Sequence, residues 1–252
     1  MKRDERQQAI MDRLVESGAV NLDDLAQRFS VSKMTIHRDL DELESDGLLR
    51  KIRGGATIEA GTRFESDFRF REMQGGEAKR CIAQAALDLV EPGMTVMIND
   101  GSTAAILGRG LLEKRPLTVI TNNAAIIDAL RDETGLTLIA LGGVFSPKFN
   151  AFFGKVTEDA LAGLRADIAF ISTPAMAGTE VFHQEETVMR SKRAMMKSGA
   201  QTCLLVNHAR FGHTALHKLA DLTEFNSLIT DQAPPPEVQA QLQEIKLPVI
   251  YR

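Results

Sequence analysis

Apolar residues in the first fifty positions recur at helical spacing in three short blocks. Ile10 and Leu14 mark one face of a first helix; Leu22, Leu25, Ala26 and Phe29 follow the i, i+3, i+4, i+7 pattern of a second; Ile36, Leu40 and Leu43 do so in a third. Three amphipathic faces of this size imply one small shared core. Gly18 stands where a C′ glycine would end the first helix, Ser32 where an N-cap would start the third, and Asp46-Gly47 stops it. LLRKIRGGATI then carries strand-like residues around Gly54-Gly55, the pattern of a two-stranded wing with a glycine tip. Residues 1–57 are thus predicted to be a winged helix-turn-helix domain, mainly α. Residues 58–75 mix charges, small residues and isolated phenylalanines without a sustained period and read as a linker, with Phe64, Phe68 and Phe70 available to dock it.

From Glu77 onward the pattern changes. An AQAALDLV helix is followed by the β-rich runs TVMIND, LTVITN, LTLIALGG, DIAFIS, TCLLVN and SLIT, most of them separated by helical stretches. Continuous apolar strands alternating with helices predict a mostly parallel sheet buried on both faces, an α/β domain over residues 76–252. Ligands of such sheets bind outside the carboxyl ends of the strands. Pro234 to Pro236 read as a turn before the last helix.

Composition excludes several classes. Hydrophobic residues make up 44% of the 252 and charged residues 25%, as in ordinary globular proteins. MKRDERQQAI has no apolar segment behind its charges, and no later run approaches the ~18 apolar residues of a membrane span, so a cytoplasmic protein is expected. Cys81 and Cys203 lack any CxxC or Cys/His spacing; they support neither disulfide nor zinc and are expected to be buried small apolar residues. No cofactor and no metal is implied. A net charge of -4 argues against coating nucleic acid nonspecifically, yet leaves room for a specific reader that needs only a few placed cations.

Those cations are present. With Ile36, Leu40 and Leu43 facing a core, Lys33, Met34, Thr35, His37 and Arg38 remain on the outer face of the third helix, whose N-terminal turns enter the major groove in a helix-turn-helix. All but Met34 can hydrogen-bond, and Arg50, Lys51 and Arg53 extend the surface along the wing. The plainer alternative is a solvated polar face, on which Asp39, Asp41, Glu42 and Glu44 would repel phosphate. In the second domain Asp100-Gly101-Ser102-Thr103 lies between a strand and a helix, where backbone amides and hydroxyls converge on an anion or merely cap the helix. Thr121, Asn122 and Asn123, and then Gly142-Gly143, sit at the ends of the next two strands, a clustering that favours a pocket.

The stretch SVSKMTIHRDLDELESDGLLRKIRGGA closely resembles the N-terminal signature of the DeoR family of bacterial repressors, in which T-[IL]-[RH]-R-D-L, a leucine, G-L and an R-x-x-G-G-A wing recur at this spacing. The resemblance continues through EPGMTVMINDGSTA, LTVITNN, LGG, FG, ADIAF, KRAM and ARFG, and so spans nearly the whole chain. It implies a sensor domain similar in fold to sugar-phosphate isomerases and glucosamine-phosphate deaminases, with a phosphorylated sugar or polyol as effector. Carried over by position, Asp100, Gly101, Ser102 and Thr103 would hold the phosphate, and Thr121, Asn122 and Asn123 would line the floor. Lys192 of KRAM would approach the sugar, unless it pairs with Glu185 or Glu186 or caps its helix. Where relatives carry an Asp-His-Ser-Lys-Phe-Gly-like run, this chain has Asn207-His208-Ala209-Arg210-Phe211-Gly212, which puts Arg210 at a pocket wall. His183 either supplies a polar group there or lies on a surface loop.

The function expected is therefore a repressor of carbohydrate-metabolism genes. Its partners would be double-stranded operator DNA, a small phosphorylated sugar and further copies of itself, as a dimer or tetramer. The alternative is an isomerase- or deaminase-type enzyme with an accessory helical domain, with Asp100, Glu185, Glu186 or His183 as its base. No nucleophile, base and orienting group stand at a diagnostic spacing, so a non-enzyme is expected.

Overall fold

Each apolar block of the N-terminal segment becomes a helix in the computed structural model, which describes residues 1–58 and 67–252. The elements run α1 (Arg3–Ser17), β1 (Ala19–Asn21), α2 (Leu22–Phe29), α3 (Lys33–Ser45), β2 (Arg50–Ile52), β3 (Gly55–Thr57) and α4 (Phe68–Met73), within one structural unit of residues 1–74. The capping signals act as read. Gly18 ends α1 at φ 76° with its N–H on the Leu14 carbonyl, and Ser32 Oγ accepts from Thr35 N at 3.2 Å. Ile10, Leu14, Leu25, Ile36, Leu40 and Leu43 form the core with Leu49, Ala56 and Ile58.

Two features depart from the expected winged domain. The wing has three strands, in the order β1-β3-β2, because Ala19–Asn21 pairs antiparallel with β3. Three residues are too few to show a period, and the pairing is tertiary. It also explains Gly55, where a Cβ would lie 1.9 Å from the Val20 carbonyl oxygen. Second, the aperiodic stretch read as linker holds a helix: Asp67 caps α4 by accepting from Arg69 N at 2.9 Å, and buried Phe70 joins the core of this unit, as does Ile58. Phe68 is buried as well, whereas Phe64 lies outside the described residues.

One buried charge pair ties α1 to α3. Arg6 grips Asp39 with two hydrogen bonds, Nε to Oδ2 at 2.5 Å and Nη2 to Oδ1 at 2.9 Å, with both side chains almost wholly buried. The hydrogen bond to Asp39 raises the Arg6 pKa further above its ordinary value, against the opposing effect of burial. Asp39→Ala is expected to cost about 3–5 kcal/mol by leaving the guanidinium buried without its partner, whereas the double change Arg6→Met/Asp39→Leu should recover most of that loss. Urea unfolding followed by circular dichroism measures both.

The second unit, residues 75–252, runs α5 (Gly76–Leu87), β4 (Thr95–Ile98), α6 (Ser102–Gly110), β5 (Leu117–Thr121), α7 (Ala124–Leu130), β6 (Leu136–Ala140), β7 (Val144–Ser146), β8 (Ala151–Phe153), α8 (Lys155–Ala162), β9 (Ala166–Ser172), β10 (Ala175–Ala177), β11 (Glu180–His183), α9 (Glu186–Ser198), β12 (Gly199–Leu205), β13 (His217–Asp221), β14 (Ser227–Thr230), α10 (Pro236–Glu244) and β15 (Val249–Tyr251). All six β-rich runs enter one seven-stranded parallel sheet of order β15-β14-β12-β9-β4-β5-β6. Alternate residues face opposite cores: Val96, Ile98, Val119, Ile168 and Phe170 on one side, Met97, Ile120, Ala169 and Ile171 on the other. The short β15, the β7-β8 hairpin and the antiparallel sheet β10-β11-β13 were not legible as strands. Cys203 is buried, and burial raises its thiol pKa, while Cys81 on α5 is half-exposed, contrary to expectation.

Candidate functional site

On α3 the core-facing residues leave Lys33, Met34, His37 and Arg38 exposed and Thr35 half-buried, its hydroxyl 2.9 Å from Ser32 Oγ. Arg50 and Arg53 are exposed on the wing and Lys51 is half-buried. His37, Arg38, Arg50 and Arg53 have no side-chain partner among the described residues. The two lysines differ. Lys33 Nζ lies 2.7 Å from Asp23 Oδ1, and the Lys51 ammonium pairs with Asp41. The acids expected to repel phosphate are each engaged: Asp39 by Arg6, Asp41 by Lys51, Glu42 by Arg3 and by Gln7 Nε2 at 2.6 Å, and Glu44 by the Lys51 main-chain N–H at 2.7 Å. Three of these four carboxylates face a cation inside the unit, which weakens the repulsion they present to a polyanion.

In the sheet, the chain runs sideways from β4 through β5 to β6, then returns to β9 on the other side of β4, so the β4/β9 boundary is the topological switch point. The carboxyl ends of those two strands are laced together there. Asn99 Oδ1 accepts from Ser172 N at 2.9 Å, and Ser172 Oγ donates to the Asp100 carbonyl at 3.0 Å. Gly101, at φ 117°, permits the approach; a Cβ would come within 2.6 Å of Ser172 Oγ. Lys192, 2% exposed on α9, places Nζ 3.0 Å from the Ser172 carbonyl and 3.7 Å from Asp100 Oδ1, which also receives Asn99 Nδ2 at 3.2 Å. Lys192 thus faces Asp100 rather than Glu185, whose Oε1 takes Lys148 Nζ at 3.0 Å.

Ser102 opens α6, buried, with half-buried Thr103 beside it, and neither hydroxyl has a partner among the described residues. The three residues at the carboxyl end of β5, Thr121 to Asn123, divide by role. Thr121 Oγ1 donates to the Ile98 carbonyl at 2.7 Å and accepts from Asn123 N. Asn123 donates to the Gly101 carbonyl at 3.2 Å and caps α7 by accepting from Ala125 N. Both side chains tie β5 to the neighbouring strand end and the next helix. Asn122 Nδ2 donates to the Phe152 carbonyl at 2.9 Å, and its Oδ1 is a buried acceptor without a partner among the described residues. Gly142 receives Thr157 Oγ1 at 2.6 Å on its carbonyl, and Gly143, at φ 142°, makes room for the Phe153 carbonyl, so this pair shapes the turn into the hairpin.

Residues 6–61 match the family model of the DeoR-like helix-turn-helix domain, and residues 74–232 match that of the DeoR C-terminal sensor domain. The chain belongs to the DeoR family. It is 31% identical to the L-fucose operon activator of Haemophilus influenzae over 95% of this chain and 96% of that one. It is 26% identical to the glycerol-3-phosphate regulon repressor of Escherichia coli, over 97% of each. A looser likeness, at 17% identity and TM-score 0.39 over 53% of each chain, links it to ribose 5-phosphate isomerase A of Methanocaldococcus jannaschii. Like other DeoR-family members it is a transcription regulator, and no helix among its described residues is long and apolar enough to cross a membrane.

The departures of this DeoR-family chain can be placed. Asn207 caps a short 3-10 turn, His208 to Arg210, by accepting from Ala209 N at 2.9 Å, a task an aspartate performs equally. Half-buried Arg210 ends that turn, and His208 is anchored to Asp231 through its main-chain N–H at 2.8 Å and its ring. His183 is fully buried, not on a surface loop; its Nδ1 accepts from Glu185 N at 3.0 Å and its ring lies 5.9 Å from Phe149. Asn99 and Ser172 escaped the sequence reading, although both stand at strand ends where the pocket rule could have found them. Gly101→Ala is expected to destabilise by about 1–3 kcal/mol, since it combines a backbone region almost confined to glycine with the approach to Ser172. Gly163→Ala, at φ -91° with only the Ala160 carbonyl oxygen 3.9 Å away, should stay within about 0.5 kcal/mol of the parent. Denaturation midpoints of the two variants test the contrast.

Proposed function

We propose that this regulator represses carbohydrate-metabolism genes from the cytoplasm, reads its operator with α3 and the wing as a homo-oligomer, and is controlled by a phosphorylated sugar or polyol bound at the β4/β9 switch point. The observation that carries the effector half is the buried Lys192 ammonium behind Asp100, next to the first turn of α6. There the N-terminal amides and the Ser102 and Thr103 hydroxyls, without a partner among the described residues, offer donors to an anion. The printed names of relatives, a glycerol-3-phosphate regulon repressor and an L-fucose operon activator, support the same class of metabolite. The DNA half rests on Arg38, Arg50 and Arg53, exposed cations of α3 and the wing, where the carboxylates of α3 are already engaged. Three groups named as enzyme bases have structural partners: Asp100 with Asn99 and Lys192, Glu185 with Lys148, and His183 with the Glu185 N–H. That supports sensing without turnover.

Two substitutions test the halves separately. Arg38→Ala is expected to weaken operator binding by roughly 1–3 kcal/mol, as for a base-edge contact, and affinity that stays unchanged on specific relative to random DNA would refute it. Ser102→Ala should leave DNA affinity intact while shifting the effector response to higher concentration. A variant responding at the parent's effector concentration removes the Ser102 turn from the site.

A further inference from the structure

Lys51 stands on the wing among the arginines, and its charge alone would assign it to phosphate. Its bonding points elsewhere. The ammonium pairs with Asp41 of α3, and its main-chain N–H donates to Glu44 Oε1 of the same helix at 2.7 Å. Both bonds join β2 to the helix that carries Arg38, from residues on successive positions of one face, 41 and 44. The Lys51 side chain is also the less exposed partner, at 30% against 58% for Asp41. Arg50 and Arg53, on either side of it in sequence, are exposed and have no such ties among the described residues.

We propose that Lys51 is a positioning residue, a strut that sets the wing against the recognition helix, and that Asp41 and Glu44 serve DNA binding by holding it. This rests on the reading of α3 and the wing as the DNA-binding face. The two roles predict opposite signs. If Lys51 were a phosphate contact, Asp41 would compete with DNA for its ammonium, so Asp41→Asn would tighten binding. Lys51→Gln would then flatten the salt dependence by about 0.9 in log-log slope. For a strut, removing either partner loosens the wing and weakens binding, and removing both adds little.

The test is fluorescence anisotropy of the full chain on a duplex from upstream of its own gene and on a random duplex of equal length, across a salt series. Lys51→Gln and Asp41→Asn are each expected to weaken binding to the upstream duplex about two- to fivefold, the worth of one exposed ion pair. The double variant should be no weaker than the worse single, the salt slope should be unchanged, and Lys51→Arg should keep parental affinity. Tighter binding by Asp41→Asn, a slope flattened by Lys51→Gln, or unchanged affinity in both singles overturns the strut. A parent chain without preference for the upstream duplex would instead overturn the DNA reading beneath it.

Discussion

A lysine ammonium buried at the end of a parallel sheet has to find oxygen acceptors inside the protein, and the sensor unit is arranged around that requirement. Lys192 is met by the Ser172 carbonyl and the Asp100 carboxylate. Supplying both brings the ends of β4 and β9 together, which in turn requires a glycine at 101 and the Asn99 and Ser172 cross-ties. Removing one member of such a pair costs more than never having it, because the other charge stays buried alone. The same arrangement sets the start of α6, with buried Ser102 and half-buried Thr103, just after Asp100. At the proposed effector site an anion would meet donors already fixed in direction, with little reorganisation to offset.

The DNA-binding unit handles charge differently. Its core is small, and the recognition helix is held by carboxylates that would otherwise face a polyanion. Asp39 reaches inward to Arg6 of α1, Asp41 and Glu44 reach across to the wing, and Glu42 returns to α1 through Arg3 and Gln7. Anchored in this way, the acidic residues of α3 present less repulsion to the DNA that the helix is proposed to read. Arg38, Arg50 and Arg53, exposed and without a side-chain partner among the described residues, are then left for the proposed reading surface. Such a face suits a chain with net charge -4, which reads DNA with a few placed groups rather than with bulk charge.

Much of this was legible before any coordinates. Periodicity located α1, α2 and α3, because each hides one apolar stripe, and the six central strands, because strands buried on both faces read as continuous apolar runs. Cap residues such as Gly18 and Ser32 marked boundaries through local geometry. What escaped was set by tertiary partners. Ala19–Asn21 becomes a strand only through β3, and residues 68 to 73 form a helix whose Phe70 completes a core begun sixty residues earlier. The structural task of Thr121 and Asn123 also escaped: beyond their place at a strand end, their side chains hold that end in place. Strand-end position suggests where to look for a site, and hydrogen-bond accounting separates side chains with structural partners from those left over.

The central claim is one chain that both reads DNA and senses a phosphorylated metabolite. Its most direct test is fluorescence anisotropy of the purified protein on DNA from upstream of its own and neighbouring genes, at fixed salt, titrated with a panel of sugar phosphates. The account predicts tight, sequence-dependent binding that one or a few of these compounds shift markedly while inorganic phosphate at the same concentration does not. Binding no tighter than to random DNA, with or without every compound in the panel, would contradict it.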